Sequence, residues 1–318
     1  MVRIGWRLYP TALLRQSCVS IMSYCLKANE TLAAGLRRIA REELEGALCQ
    51  MQKARVGEEA DAVHATRKHI KKLRALLRLI RSEIGQEIFT AENNRLRDVA
   101  RGFSGSRDAR VQLQLLEKLG AQIGQKKRAF AKTGAALEEE MTAQADTFGP
   151  HRRDAEATLQ QICDRLEGWP VDELEMQDLC CGLRHSYKRG RKCFDEVGAA
   201  PTTENFHSWR KRVKDIWYQT RLLQNLNRPV LCEMAEAAKT LGQRLGDLHD
   251  LAFFRFRLEA EEGCREDERS VLLGLLCTRE PELEEISIDL GARFFAEKPG
   301  ALEKRLLRYA EEWETSRA

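Results

Sequence analysis

The sequence predicts an all-α protein, and three observations carry that expectation. Apolar residues return every three or four positions in one segment after another, the spacing that places them on a single helix face. All seven prolines (Pro10, Pro150, Pro170, Pro201, Pro229, Pro281 and Pro299) fall between such segments or in their first turns, where the missing N–H is tolerated. No stretch alternates apolar and polar residues between hairpin turns, so no strand is signalled. At 318 residues, 43% hydrophobic and 32% charged, the chain can bury a sizeable core and is not disordered.

Residues 1–26 are read as an N-terminal leader. Arg3, Arg7 and Arg15 interrupt its apolar residues, which rules out a membrane span and argues against a secretory signal; its order is left open. Residues 27–318 are read as one domain made of two repeats, about 27–167 and 172–318. The first helix is expected from about Thr31 to Lys53, with Leu36, Ile39 and Leu44 inward and Arg37, Arg38 and Arg41 on its polar side. The second is His64 to Arg81, stopping near Gly85. A third covers about Ala91 to Phe103, Ser104-Gly105-Ser106 breaks the chain, and Arg107-Asp108 opens a fourth through Leu119. Gln125 to Thr147 and His151 to Leu166 follow, split by Gly149-Pro150. After Gly168-Trp169-Pro170 the pattern restarts, and Pro281 and Pro299 set off the last two helices, Leu283 to Phe295 and Ala301 to Trp313.

The second helix is the most informative stretch. His64 to Arg81 holds seven Lys/Arg and no carboxylate. His64, Arg67, Lys71, Arg74 and Arg78 form one stripe, and Ile70, Leu73, Leu76, Leu77 and Ile80 take the opposite side, with Lys68 and Lys72 as flanking cations. A solvated helix face normally mixes charge signs so that i,i+4 pairs compensate, and here nothing local does so. The net charge of +4 is too small to identify a partner, but its concentration on one stripe is informative.

The pattern then recurs. Gly35-Leu36-Arg37-Arg38 returns as Gly182-Leu183-Arg184-His185, and His64-x-x-Arg67-Lys68-x-Ile70-Lys71 as His207-x-x-Arg210-Lys211-x-Val213-Lys214. Arg107-Asp108-Ala109-x-Val111 returns as His249-Asp250-Leu251-x-Phe253, all three in the same order at nearly constant offset, the mark of an internal duplication. The second stripe is His207, Arg210, Lys214 and Arg221, with Trp217 in place of the cation at Arg74. Two pseudo-symmetric helical bundles are expected, with the two basic helices lining a central groove.

Rows of Arg and Lys spaced by a helical turn suit a linear polyanion. His64 and His207 open their stripes in the same register, so binding should strengthen as pH falls through their pKa. His69, His151 and His185 carry no functional assignment, and Asp108 and Asp250 are read as helix caps or as groups that orient neighbouring arginines. Tryptophans and tyrosines other than Tyr187, Trp217 and Tyr218 are read as core or linker anchors. The ten cysteines show no CxxC spacing or pairing pattern and read as reduced thiols of a cytoplasmic protein; no metal site and no cofactor are expected. The basic helices hold neither a carboxylate cluster nor a base-activated nucleophile, which argues against hydrolysis of phosphate esters. Nucleic acid is the alternative polyanion, disfavoured by the absence of a recognised motif and the scarcity of aromatics for base stacking.

These residues resemble the CHAD family, the conserved-histidine α-helical domain. The resemblance rests on His64-Ala-Thr-Arg67 with Lys71, Lys72 and Arg74, on His207-Ser-Trp-Arg210 with Lys214, on Leu245-Gly246-Asp247-Leu248-His249-Asp250, and on Gly182-Leu183-Arg184 through Tyr187-Lys188-Arg189-Gly190-Arg191. It spans about residues 27–316. Phe103-Ser104 stands where the family has Leu-Gly, His249 where Asn is common, and Trp217 where Arg often precedes Tyr218. The resemblance implies a non-catalytic domain that binds inorganic polyphosphate, with a further implied association with polyphosphate granules. The site it implies adds Arg37, Arg38, Arg184, Lys188 and Arg191 to the cations of the two stripes, Lys68, Lys72 and Lys211 included.

Overall fold

Thr31 begins the first helix by accepting a hydrogen bond from the Ala34 amide at 3.2 Å, and similar signals start several of the others. In this computed structural model, residues 24–54, 59–123, 130–145, 148–260 and 264–317 are described, apart from the side chains of 104–108 and 144–145. The described residues form helices and no strand. In chain order the helices are α1 (Leu32–Lys53), α2 (Glu59–Leu79), the single turn α3 (Arg81–Ile84), α4 (Gln86–Gly102), α5 (Ser104–Gln122), α6 (Ala131–Ala145) and α7 (Phe148–Arg165). They continue as α8 (Met176–Ala199), α9 (Thr203–Leu222), α10 (Arg228–Glu259), α11 (Glu266–Phe294) and α12 (Pro299–Thr315). Glu175 and Asp178 make a capping box on α8, and Thr202 and Asn227 cap α9 and α10 through their side chains.

The apolar faces read from the sequence are buried. Leu36, Ile39 and Leu44 of α1 meet Ile70, Leu73, Leu76 and Leu77 of α2, while Val213 and Ile216 of α9 are equally enclosed. α2 packs on α1 on one side and on α9 on the other, and α9 packs on α8 and α10. At the α2–α9 crossing, buried Gln219 donates to the Ala75 carbonyl at 3.0 Å. A Cβ on Gly182 would lie 2.0 Å from the Leu79 carbonyl oxygen, so α8 reaches the end of α2 only because residue 182 lacks a side chain.

Several expectations need correction. Pro281 does not separate helices: α11 runs from Glu266 to Phe294 straight through it. Pro281 is exposed, so the Cys277 carbonyl that it leaves without an intrahelical partner can turn to water, while Leu272, Leu276 and Leu283 bury the inner face on both sides. The break before α5 is the single residue Phe103, not Ser104–Ser106. Asp250 lies inside the 32-residue α10 and Asp108 in the second turn of α5, so neither is a cap; the Asp108 side chain lies outside the described residues. Tyr187 and Tyr218 are core residues, leaving Trp217 alone half-exposed among the three aromatics set apart. Of the leader, residues 1–23 lie outside the described residues. Tyr24 is fully buried and donates to the Lys72 carbonyl at 2.8 Å, and the Leu26 amide donates to Leu222 at 3.1 Å.

Candidate anion-binding site

The two His-led helices cross, and their cations divide between structural partners and an open basic surface. On α1, Arg37 chelates Asp172 at 2.6 and 2.8 Å and donates to the Trp169 carbonyl, tying the helix to the segment before α8. Arg38 grips Glu30 at 2.7 and 2.6 Å, donates to Glu42 and to the Cys25 carbonyl, and is held well above the ordinary range by those carboxylates. Lys72 is paired with buried Glu43 at 2.7 Å, next to His69 on the same carboxylate at 2.6 Å. Arg184 pairs with Glu303 at 2.9 Å, and Arg191 donates to the Glu297 carbonyl at 3.0 Å. These five have full-time internal partners, which residue type and spacing alone could not reveal.

The remaining stripe of α2 turns toward α4, α5 and α9. His64 is exposed at the edge of a cavity of about 430 Å³ that also takes Lys118, Arg279, Asp247 and Asp250. Arg67 donates to the Ala100 carbonyl at the end of α4. Lys68 is exposed and Lys71 half-buried. Arg74 donates to Asn93 at 3.0 Å; burial, and after it the charge of Arg78, push it down to about 10. Arg78 donates to the Arg74 carbonyl at 3.0 Å and to Asp215 of α9 at 3.2 Å, and burial with the charges of Arg212, Arg189 and Arg81 lowers it.

On α9 the cations take two sides. His207, Arg210 and Lys214 lie along α10. His207 stacks on His249 with ring centroids 4.5 Å apart. Burial, then Lys211 and Arg210, push His207 down to about 4, so the protonation expected at mildly acidic pH moves well below it in the free protein. Lys214 runs beside Gly242, over the Trp217 ring at 4.7 Å, and burial together with Arg210 pushes it down to about 8. Arg221 lies 5.6 Å from the Trp217 ring. On the other side, exposed Lys211 is lowered by burial and by Arg212, Arg210 and Arg74, and Arg212 pairs with Asp215 at 3.3 Å. Lys188 of α8 is exposed.

Three members of this surface escaped the sequence reading. Arg81 continues the α2 stripe by one more turn, so the spacing itself could have found it. Arg189 and Arg212 sit off the 3,4 register of their helices and enter the cluster only through the angle at which α8 and α9 meet α2. Burial first, and after it the charges of neighbouring cations, Arg212 above all, lower Arg74, Arg78, Arg189 and Lys211, so cations from three helices share one region, a field suited to an anion with several charges. Among the described residues no helix is long and apolar enough to cross a membrane.

No curated protein and no solved structure matches this chain. The family model described as CHAD domain matches residues 38–259, more than half of the chain and the segment that carries both His-led helices, the Gly182 approach and the Leu245–Asp250 stretch of α10. The chain belongs to the CHAD domain family.

Proposed function

We propose that this protein binds inorganic polyphosphate along the basic surface formed by α2 and α9, without catalysis. The observation that carries the reading is the crossing of two carboxylate-poor cation rows, with Arg74 and Arg78 of one helix electrostatically coupled to Lys211 and Arg212 of the other. Membership of the CHAD family supports the same ligand. We read α1–α2 and α8–α9 as the two copies of a duplication, each with its Gly-Leu-Arg helix followed by its His-led helix.

The cations assigned to the ligand are His64, Arg67, Lys68, Lys71, Arg74 and Arg78 on α2, with His207, Arg210, Lys211, Lys214 and Arg221 on α9. Arginine supplies forked donors to phosphate oxygens and lysine a mobile charge. These side chains hold an anion and offer no activated nucleophile, which is why we assign binding. The nine free cysteines among the described residues accord with a reducing, cytoplasmic setting.

Titration with long-chain polyphosphate at two salt concentrations tests the proposal. Tight binding at low salt should weaken steeply as salt rises, by the counterion logic known for nucleic acids. Arg67→Ala combined with Arg210→Ala should lower affinity at least tenfold and flatten the salt dependence. Absence of binding at low salt, or a double variant that binds like the parent, would overturn it, and displacement by RNA at equal phosphate concentration would redirect it to nucleic acid.

A further inference from the structure

We propose that the pocket between the end of α2, α3, α8 and the middle of α9, which shares Arg78 with the groove, takes a compact phosphate end group, the terminal phosphate of a short or long oligophosphate. The proposal rests on the polyphosphate reading and adds to it an end-group subsite at the Arg78 end of the basic surface. The pocket holds about 400 Å³, in the size range of small-molecule sites and too small to run a long polymer through. Four guanidiniums line it, Arg78, Arg81, Arg189 and Arg212, against the single carboxylate of Asp215.

That carboxylate is already shared, one oxygen at 3.2 Å from Arg78 and the other at 3.3 Å from Arg212. Arg81 is braced by Gln86 at 3.0 and 2.6 Å and lies 4.7 Å from the Phe89 ring, so its charge is held in place without being neutralised. Arg189 has no hydrogen bond or ion pair to another described residue, yet it is partly desolvated beside Arg212 and Arg81. Arg78 and Arg212 are half-buried and Arg81 and Arg189 stand exposed at the rim; like charges crowded round one shared counter-ion favour an entering anion, and a terminal phosphate brings more charge than an internal one. Ser186 adds a hydroxyl to the lining. Gly182 forms one wall, where α8 comes close enough to the Leu79 carbonyl that a Cβ would clash with it.

Linear tripolyphosphate, which has ends, and cyclic trimetaphosphate, which has none, separate an end-group site from general attraction. Calorimetric titration of the full chain should show the linear anion binding at least tenfold tighter than the cyclic one. Arg189→Ala should remove most of that preference without lowering the thermal midpoint, because the side chain makes no hydrogen bond or ion pair to another described residue and stands among like charges. Arg67→Ala with Arg210→Ala should leave tripolyphosphate binding intact while weakening the long polymer. If the pocket takes the end of a long chain, tripolyphosphate competes with polymer and Arg189→Ala weakens polymer binding per chain; if it takes free oligophosphates, the two bind together. Equal affinity for linear and cyclic forms, or tripolyphosphate binding unaffected by Arg189→Ala, overturns the pocket while leaving the long-polymer reading standing. Tripolyphosphate bound through Arg189 with no affinity for long polymer would instead sink the groove and keep the pocket.

Discussion

Arg78 of α2 donates to Asp215 of α9 at 3.2 Å, and both side chains are largely enclosed. The pair places an acid from the second His-led helix into the cation row of the first. Asp215→Asn removes that negative charge while keeping an acceptor. It should cost about 1–3 kcal/mol of stability, the range for losing a charged hydrogen bond. It should also tighten polyphosphate binding by roughly three- to tenfold, since two arginines lose an internal competitor. Urea unfolding and titration of the same variant read both effects, and weaker binding would contradict the competitor role.

Arg38 should behave in the opposite way. Its bonds to Glu30 and the Cys25 carbonyl tie α1 to the chain segment before it, and Glu42 one turn on holds the guanidinium in place. Arg38→Ala should lower stability by about 2 kcal/mol, because it strips charged hydrogen bonds from a half-buried Glu30. Polyphosphate affinity should stay within about twofold of the parent. A large loss of affinity in a variant of near-parental stability would return Arg38 to the ligand site.

Lys214 makes binding pH-dependent on the alkaline side. Burial and Arg210 hold it at about 8 in the free protein, with Asp247 of α10 opposing and Lys239 adding to the depression. A bound polyanion favours the ammonium, so the complex takes up a proton and affinity falls as pH rises through 8. Lys214→Arg should abolish that step, because a guanidinium stays charged there. Stability runs the other way. The unfolded lysine keeps its proton to about 10.5 and the folded one only to about 8, so stability rises with pH across that window. His207 gives the acid counterpart: held at about 4 against 6.5 unfolded, it makes stability fall as pH drops from 6.5 toward 4. Titration in buffers of different ionisation enthalpy would detect the proton taken up by Lys214.

Gly182 and Gly274 should respond oppositely to alanine. A methyl group at 182 meets the Leu79 carbonyl at 2.0 Å and must push α8 off α2, at a cost of about 1–3 kcal/mol or more. At 274, inside α11, it meets nothing within 4 Å and should gain roughly 0.5–1 kcal/mol from helix propensity. Chemical denaturation of the two variants gives the comparison. A neutral Gly182→Ala would mean that the α8–α2 approach is loose.

Local periodicity sufficed for the helices wherever their apolar face was regular. Ile70, Leu73, Leu76 and Leu77 are buried as their spacing requires. It failed at Pro281, since a proline on a solvent-facing turn breaks one hydrogen bond and leaves the packed face of α11 intact. Tyr187 and Tyr218, left out of the aromatics read as core or linker anchors, are buried, and Tyr187 donates to the Phe294 and Glu297 carbonyls at 3.0 Å.

The sequence by itself determined that the chain is helical, that two His-led basic helices exist, and which of their faces is apolar. All three follow from short-range spacing, which the helix repeat converts directly into direction. Only the tertiary structure decided which cations are committed to carboxylates from distant segments, as Arg37 is to Asp172 and Lys72 to Glu43. It alone added Arg189 and Arg212 to the basic surface and lowered the titration of His207 and Lys214. Pairing, burial and charge repulsion depend on distances between helices, and those are set by how the faces pack.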